Sequence, residues 1–150
     1  MNSYSNRWWR AAAGVAMAVM AGACGGDSDE ATPTNKADWQ EEFGTAISVV
    51  SDDIDRSNQA LNAGERAVLL STCTQLQEEL GDARDALPVP EPTVDSALRG
   101  ALDATEVAAR TCVDGARIAG EAHRIEQAQR EMQTARQRFD EAQRAIDVWQ

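Results

Sequence analysis

Basic residues are scarce in this 150-residue chain: 14 Lys and Arg stand against 25 Asp and Glu, a formal net charge of −11 at pH 7. Lysine is almost missing, with Lys36 alone. Arg7 and Arg10 fall in a leading segment that reads as removable, so the rest of the chain is more acidic still. This balance argues against nucleic acid as a partner, because phosphates need Lys and Arg. It argues equally against passive adhesion to anionic lipid. His123 is the single histidine, and one imidazole cannot build a zinc or copper site. No Cys-x-x-Cys occurs. Proline is limited to 4 residues while 26% of the chain is charged, which argues against wholesale disorder. β-branched residues are sparse and no run alternates apolar with polar, so strands are not expected. There is no serine–histidine elbow and no phosphate-binding glycine loop. An enzyme and a bound cofactor are therefore not expected.

What is present begins at the N-terminus. Residues 1–10 carry two arginines and no acid, and Ala11–Ala23 is an unbroken small and apolar run. A basic stretch followed by a short apolar run is a secretion signal, and the run is short of the roughly 20 residues a membrane-spanning helix takes. It ends in Ala21-Gly22-Ala23-Cys24. This resembles the lipobox of bacterial lipoproteins, although Leu is usual where Ala21 stands. The resemblance implies a diacylglycerol on the Cys24 sulfur and cleavage just before that cysteine. It covers the first 24 residues only. Two other readings stay open: plain secretion, since Ala21-Gly22-Ala23 is itself an A-x-A cleavage site, and an uncleaved anchor. Gly25–Asn35 is rich in Gly, Ser, Thr and Asp and reads as a flexible tether. The expected organisation is a signal over 1–23, a tether over 24–35 and one folded domain over 36–150. The expected location is the extracytoplasmic face of a cell membrane, lipid-anchored, or the exterior if no lipid is added.

With Cys24 lipidated, Cys73 and Cys112 remain as a pair. Export exposes them to oxidising conditions, so a disulfide is expected.

From Lys36 onward the pattern is helical. The first helix is expected over Lys36 to about Ala60, capped by Asn35, with Trp39, Phe43, Ile47, Val50, Ile54 and Leu61 on one stripe. Asn62-Ala63-Gly64-Glu65 has the form of a capping box for a second helix starting near Ala63. Its stripe is Leu69, Cys73, Leu76, Leu80, Ala83 and Leu87. Three prolines, Pro88, Pro90 and Pro92, then force a turn. A third helix from Thr93 or Val94 carries Val94, Leu98, Ala101, Thr105, Ala108 and Cys112. Finally Ile118, Ile125, Met132, Phe139 and Ile146 recur every seven residues, with Ala128, Ala135, Ala142 and Trp149 beside them. That is a heptad with mostly alanine at one position, suited to close antiparallel packing. Gly115 and Gly120 permit a break before it. The fold expected is all-α: an antiparallel bundle of three to four helices with a coiled-coil-like C-terminal helix. The alternative is that this helix projects from the others.

Three functional readings follow. The first is a non-enzymatic, membrane-tethered module that meets a protein partner, or itself, through the heptad residues Ile125, Met132, Phe139, Ile146 and Trp149. An acidic face would serve the same end: Cys24–Leu98 holds 16 acids and 4 bases, against 9 and 8 in Arg99–Gln150. The second is a carrier or sensor of a small apolar ligand, resting on the alanine-rich interfaces and on an aromatic rim of Trp39, Phe43, Phe139 and Trp149. The third is an extracytoplasmic metal buffer built on Asp52, Asp53 and Asp55 with Ser57 and Asn58. That cluster fails the EF-hand spacing, and Asp52 and Asp53 are expected to point outward into solvent. His123 is expected on an exposed helical surface.

Overall fold

Each helix is set by its ends as much as by its stripe. The computed structural model describes residues 33–118, 120 and 122–150, and places in them α1 (Lys36–Ala63), α2 (Arg66–Arg84), α3 (Pro92–Arg117) and α4 (Ala122–Val148). The lipobox, Cys24 and most of the tether lie outside the described residues.

At the start of α1, Asn35 Oδ1 accepts from the Asp38 amide at 3.0 Å, and the Asn35 amide group donates back to the Asp38 carboxylate at 2.6 Å. This satisfies an N–H that the helix itself leaves unpaired. The helix closes where Gly64 turns left-handed at φ 72° and donates its N–H to Ala60 O. Here the structure corrects the sequence reading. Asn62 and Ala63 form the last turn of α1 rather than a capping box, and α2 starts at Arg66 with no side-chain cap from Glu65. Gly64 takes the left-handed position at little steric cost, so two residues suffice to reverse the chain. α2 stops at Arg84, one turn before the last stripe residue, Leu87. Its final amides tighten into three-residue turns, ending with Leu87 N–H on Arg84 O at 3.1 Å. Pro88 has no N–H to continue the series. At the other side of the turn Pro92 opens α3, where its missing N–H is harmless, and the Glu91 carboxylate caps the Val94 amide at 2.7 Å.

α3 and α4 are separate helices, which decides between a bundle and a long projection. Gly120 lies at φ 92°, and Arg66 donates to the carbonyls of Gly115 and Ile118 that α3 leaves open. Ile118 is exposed and lies outside α4, so the heptad begins at Ile125.

The contacts fix an up-down-up-down order. The α1 start meets the α2 and α4 ends, since Trp39 Nε1 donates to Ala86 O at 2.9 Å and Lys36 Nζ to Trp149 O at 2.8 Å. At the opposite end Gln129 of α4 reaches Leu61 O, and Arg66 of α2 reaches α3. Each helix packs on its neighbours in sequence, and α4 returns to α1. The core runs the length of this bundle through Val50, Ile54, Leu69, Leu76, Leu98, Leu102 and Met132. Cys73 and Cys112 stand at disulfide distance across α2 and α3, with Cα atoms 6.1 Å apart and no exposed surface.

Candidate functional site

The heptad stripe is used within the chain. Met132, Phe139 and Ile146 are buried, as are Ala128, Ala135 and Ala142, while Ile125 and Trp149 are half-buried against the core. Alanines on both helices let α3 and α4 approach closely: Ala101, Ala108, Ala109 and Ala116 face this interior from α3. Gly115 completes the approach. A Cβ there would stand 3.1 Å from Ile125 Cδ1 and 3.4 Å from the Arg124 backbone. Three of the five residues expected to meet a partner are therefore covered by the protein's own helices.

The other side of α4 is different. α1 and α4 touch least of the four neighbouring pairs. Between them lies a partly open groove of about 350 Å³. Its floor is apolar: Trp39 and Ile47 from α1, Phe139 and Ile146 from α4, all nearly inaccessible. Its rim is polar, with Gln40, Ser48 and Ser51 on one wall and Arg136, Asp140 and Gln143 on the other. Gly44 lies between the serines and Gln40 and contributes no side chain. Arg136 bridges the two walls at one end. Its Nη1 donates to Ser51 Oγ at 2.9 Å, and its guanidinium stands 3.3 Å from the carboxylates of Asp55 and Asp140. Trp39 closes the other end, with Trp149 at 5.8 Å and Phe43 at 6.3 Å between ring centroids. So three of the four expected aromatics do gather at one end of the bundle, and Phe139 instead floors the groove.

The acidic cluster divides. Asp52 is exposed, as expected, but Asp53 is 2% exposed, and that expectation is corrected. Asp53 lies on the flank of the Val50/Ile54 stripe away from Ser51 and Asp55, which meet Arg136 of α4. One of its oxygens pairs with Arg56 at 2.6 Å; the other, like Ser57 Oγ one turn on, is buried without a protein partner. Among the described residues no three His, Cys, Asp or Glu side chains are grouped to hold a metal ion. His123 is exposed on the first turn of α4. No helix among the described residues is long and apolar enough to cross a membrane.

One carboxylate outside the groove has a shifted titration. Asp95 accepts from Arg99 Nε at 2.7 Å and from the Val89 amide at 2.8 Å, and these hold its carboxyl below the usual range, Arg99 contributing most. It acts structurally, tying the proline-rich turn to the first turn of α3.

Arg136, Ser51 and Gly44 were not singled out by the sequence reading. The available signal was Gly44, a glycine in the middle of a helix where alanine would be favoured. Compared with family models, with curated proteins and with solved structures, the chain matches none.

Proposed function

We propose that this protein is a lipid-anchored helical bundle on the outer side of a bacterial membrane, working by binding rather than by chemistry. The observation that carries the reading is the Cys73–Cys112 pair, buried at disulfide distance across α2 and α3. Such a pair suits an oxidising compartment. It also leaves Cys24 as the one remaining cysteine, at the end of the lipobox-like run. Acyl chains on Cys24 anchor through the roughly 0.8 kcal/mol contributed by each buried methylene, so no basic patch is needed. Binding to a protein would use the outer faces of α1 and α2. There Glu41, Glu42, Asp52, Glu78 and Asp82 are exposed and, among the described residues, form no ion pair. A basic partner surface complements that face. The groove supports a second reading, a carrier or sensor of a small ligand.

A native mass spectrum of the protein taken from its own membrane in mild detergent tests the anchor and the cross-link together. The expected mass is that of the chain from Cys24, plus acyl chains, less two hydrogens. An unacylated mass would remove the lipid anchor, and a mass that keeps both hydrogens would remove the oxidised pair.

A further inference from the structure

We propose that the groove between α1 and α4 binds a small amphipathic carboxylate, with its chain on the apolar floor and its head on Arg136. The proposal rests on the ligand-binding reading and does not depend on the lipid anchor. The groove's volume, about 350 Å³, falls within the range of small-molecule sites. From Arg136 to Ile146 the floor follows α4 for about 15 Å at the helical rise per residue, which suits a medium-length chain. The small exposed edges of Trp39, Ile47, Phe139 and Ile146 supply the apolar contact.

Gly44 is not required by packing. It lies within α1 without a left-handed backbone, and a Cβ there would meet nothing closer than Gln40 Cβ at 4.0 Å. Glycine in mid-helix costs about 0.5–1 kcal/mol relative to alanine. What its bare backbone does accomplish is to keep the wall of the groove open.

Arg136 is the cation that lines the groove, and its guanidinium carries one hydrogen bond and two long ion pairs. Of its five N–H groups, the structure shows one hydrogen bond, to Ser51 Oγ. Asp55 and Asp140 stand at 3.3 Å, beyond the roughly 2.7–2.9 Å of a good charge-assisted bond, and both are about half exposed. Such pairs hold a guanidinium weakly. A ligand carboxylate matches its planar fork with two parallel bonds. A ligand carboxylate takes the place of Asp55 and Asp140 at the guanidinium, a ligand ammonium would have to displace Arg136 from Asp140, and an alcohol would leave the fork unmatched.

The test titrates decanoate into the full chain carrying Cys24→Ser, which cannot be acylated, and follows tryptophan fluorescence and heat. Saturable binding is expected. Arg136→Gln should weaken it about tenfold or more, as loss of a charged hydrogen-bond partner does. Asp140→Asn should tighten it by removing a competing carboxylate. Gly44→Leu should block it with helicity unchanged. Decyltrimethylammonium, of the same chain length, should bind more weakly. Decanoate binding that ignores Arg136→Gln would overturn the head-group assignment. So would an ammonium that binds more tightly and is loosened by Asp140→Asn. If neither amphiphile binds in a manner sensitive to Gly44→Leu, the ligand-binding reading itself falls.

Discussion

α4 has two flanks, and they are built on opposite rules. Toward α3 it packs with buried alanines on both helices and with Gly115 against Ile125, the most extensive contact of any helix pair. Toward α1 it presents Arg136, Asp140 and Gln143 to serines, Gln40 and Gly44, and the helices stand apart over an apolar floor. Small side chains serve close approach in the first case. In the second, a missing side chain serves an opening. A helix of one repeating pattern thus fastens the fold with one side and leaves a concave surface with the other.

The largest expected effect comes from the point that holds the open flank. Trp39 is fully buried, packs on Phe43 and Trp149, and donates to Ala86 O across the bundle end. Trp39→Ala should cost about 3–5 kcal/mol, the usual range for a buried aromatic. Because α1 and α4 share the least extensive contact of the four neighbouring pairs, native-state hydrogen exchange should quicken more in α1 than in α3. Uniform quickening across all four helices would show that the open flank is no weaker than the closed one. Next in size, Ala135→Leu should overpack the closed flank and cost about 1–3 kcal/mol in denaturant unfolding. A neutral result would mean that α3 and α4 are not in close contact along their middle.

Much of the architecture was legible because it rests on spacing. The seven-residue recurrence from Ile125 to Ile146, the 4-3-4-3 stripe from Leu69 to Ala83 and the three prolines before α3 each reflect a local rule. The positions of Cys73 and Cys112 on facing stripes made their pairing readable as well. What was not legible depends on which helix lies on which flank. The heptad showed that Met132 and Phe139 must be covered, but nothing in it says whether another molecule or α3 covers them. Asp53 stands on the edge of the α1 stripe. On a helical wheel it is marginal, and only the assembled bundle buries it. Arg136 and Ser51 are 85 positions apart, and no sequence pattern links them before α1 and α4 are placed side by side. The helix boundary at Gly64 was misread because Asn62 fits a capping box, yet the left-handed Gly64 satisfies α1 first.

Two single-methyl additions set the flanks against each other directly. Gly115→Ala places its Cβ 3.1 Å from Ile125 Cδ1, so the Ile125 side chain or the helix must shift. Gly44→Ala meets only Gln40 Cβ, at 4.0 Å, an ordinary contact without crowding. Both gain the same helix propensity, about 0.5–1 kcal/mol. Gly44→Ala should realise that gain and raise the unfolding midpoint. Gly115→Ala should lose it to crowding and come out neutral or destabilised by about 1 kcal/mol. Equal stabilisation by both would erase the distinction between the flanks.

The smallest effect separates the two halves by charge. Acids of α3 and α4 are largely paired, as in Asp95–Arg99, Glu106–Arg110 and Glu141–Arg138, whereas the exposed acids of α1 and α2 named above are not. The carboxyl of Asp95 is held below its ordinary value of 3.8, chiefly by Arg99, against a smaller opposing effect of desolvation. A depressed carboxyl stabilises the folded state above its unfolded-state value, and that contribution is lost as pH falls through the folded value. The window therefore lies below about pH 4. Its partner Arg99 is half exposed, so solvent screens the pair and the contribution should stay below about 1 kcal/mol. Asp95→Asn keeps an acceptor for the Val89 amide and removes only the charge. Its midpoint should lie slightly under that of the wild type at pH 6, and the two should converge as pH drops below 4. The unpaired acids of α1 and α2 act in the opposite sense, because protonating them relieves repulsion. If the difference between Asp95→Asn and wild type instead widened in acid, Asp95 would be holding the proline turn as a neutral hydrogen-bonding group, and its tie to Arg99 would carry no stability.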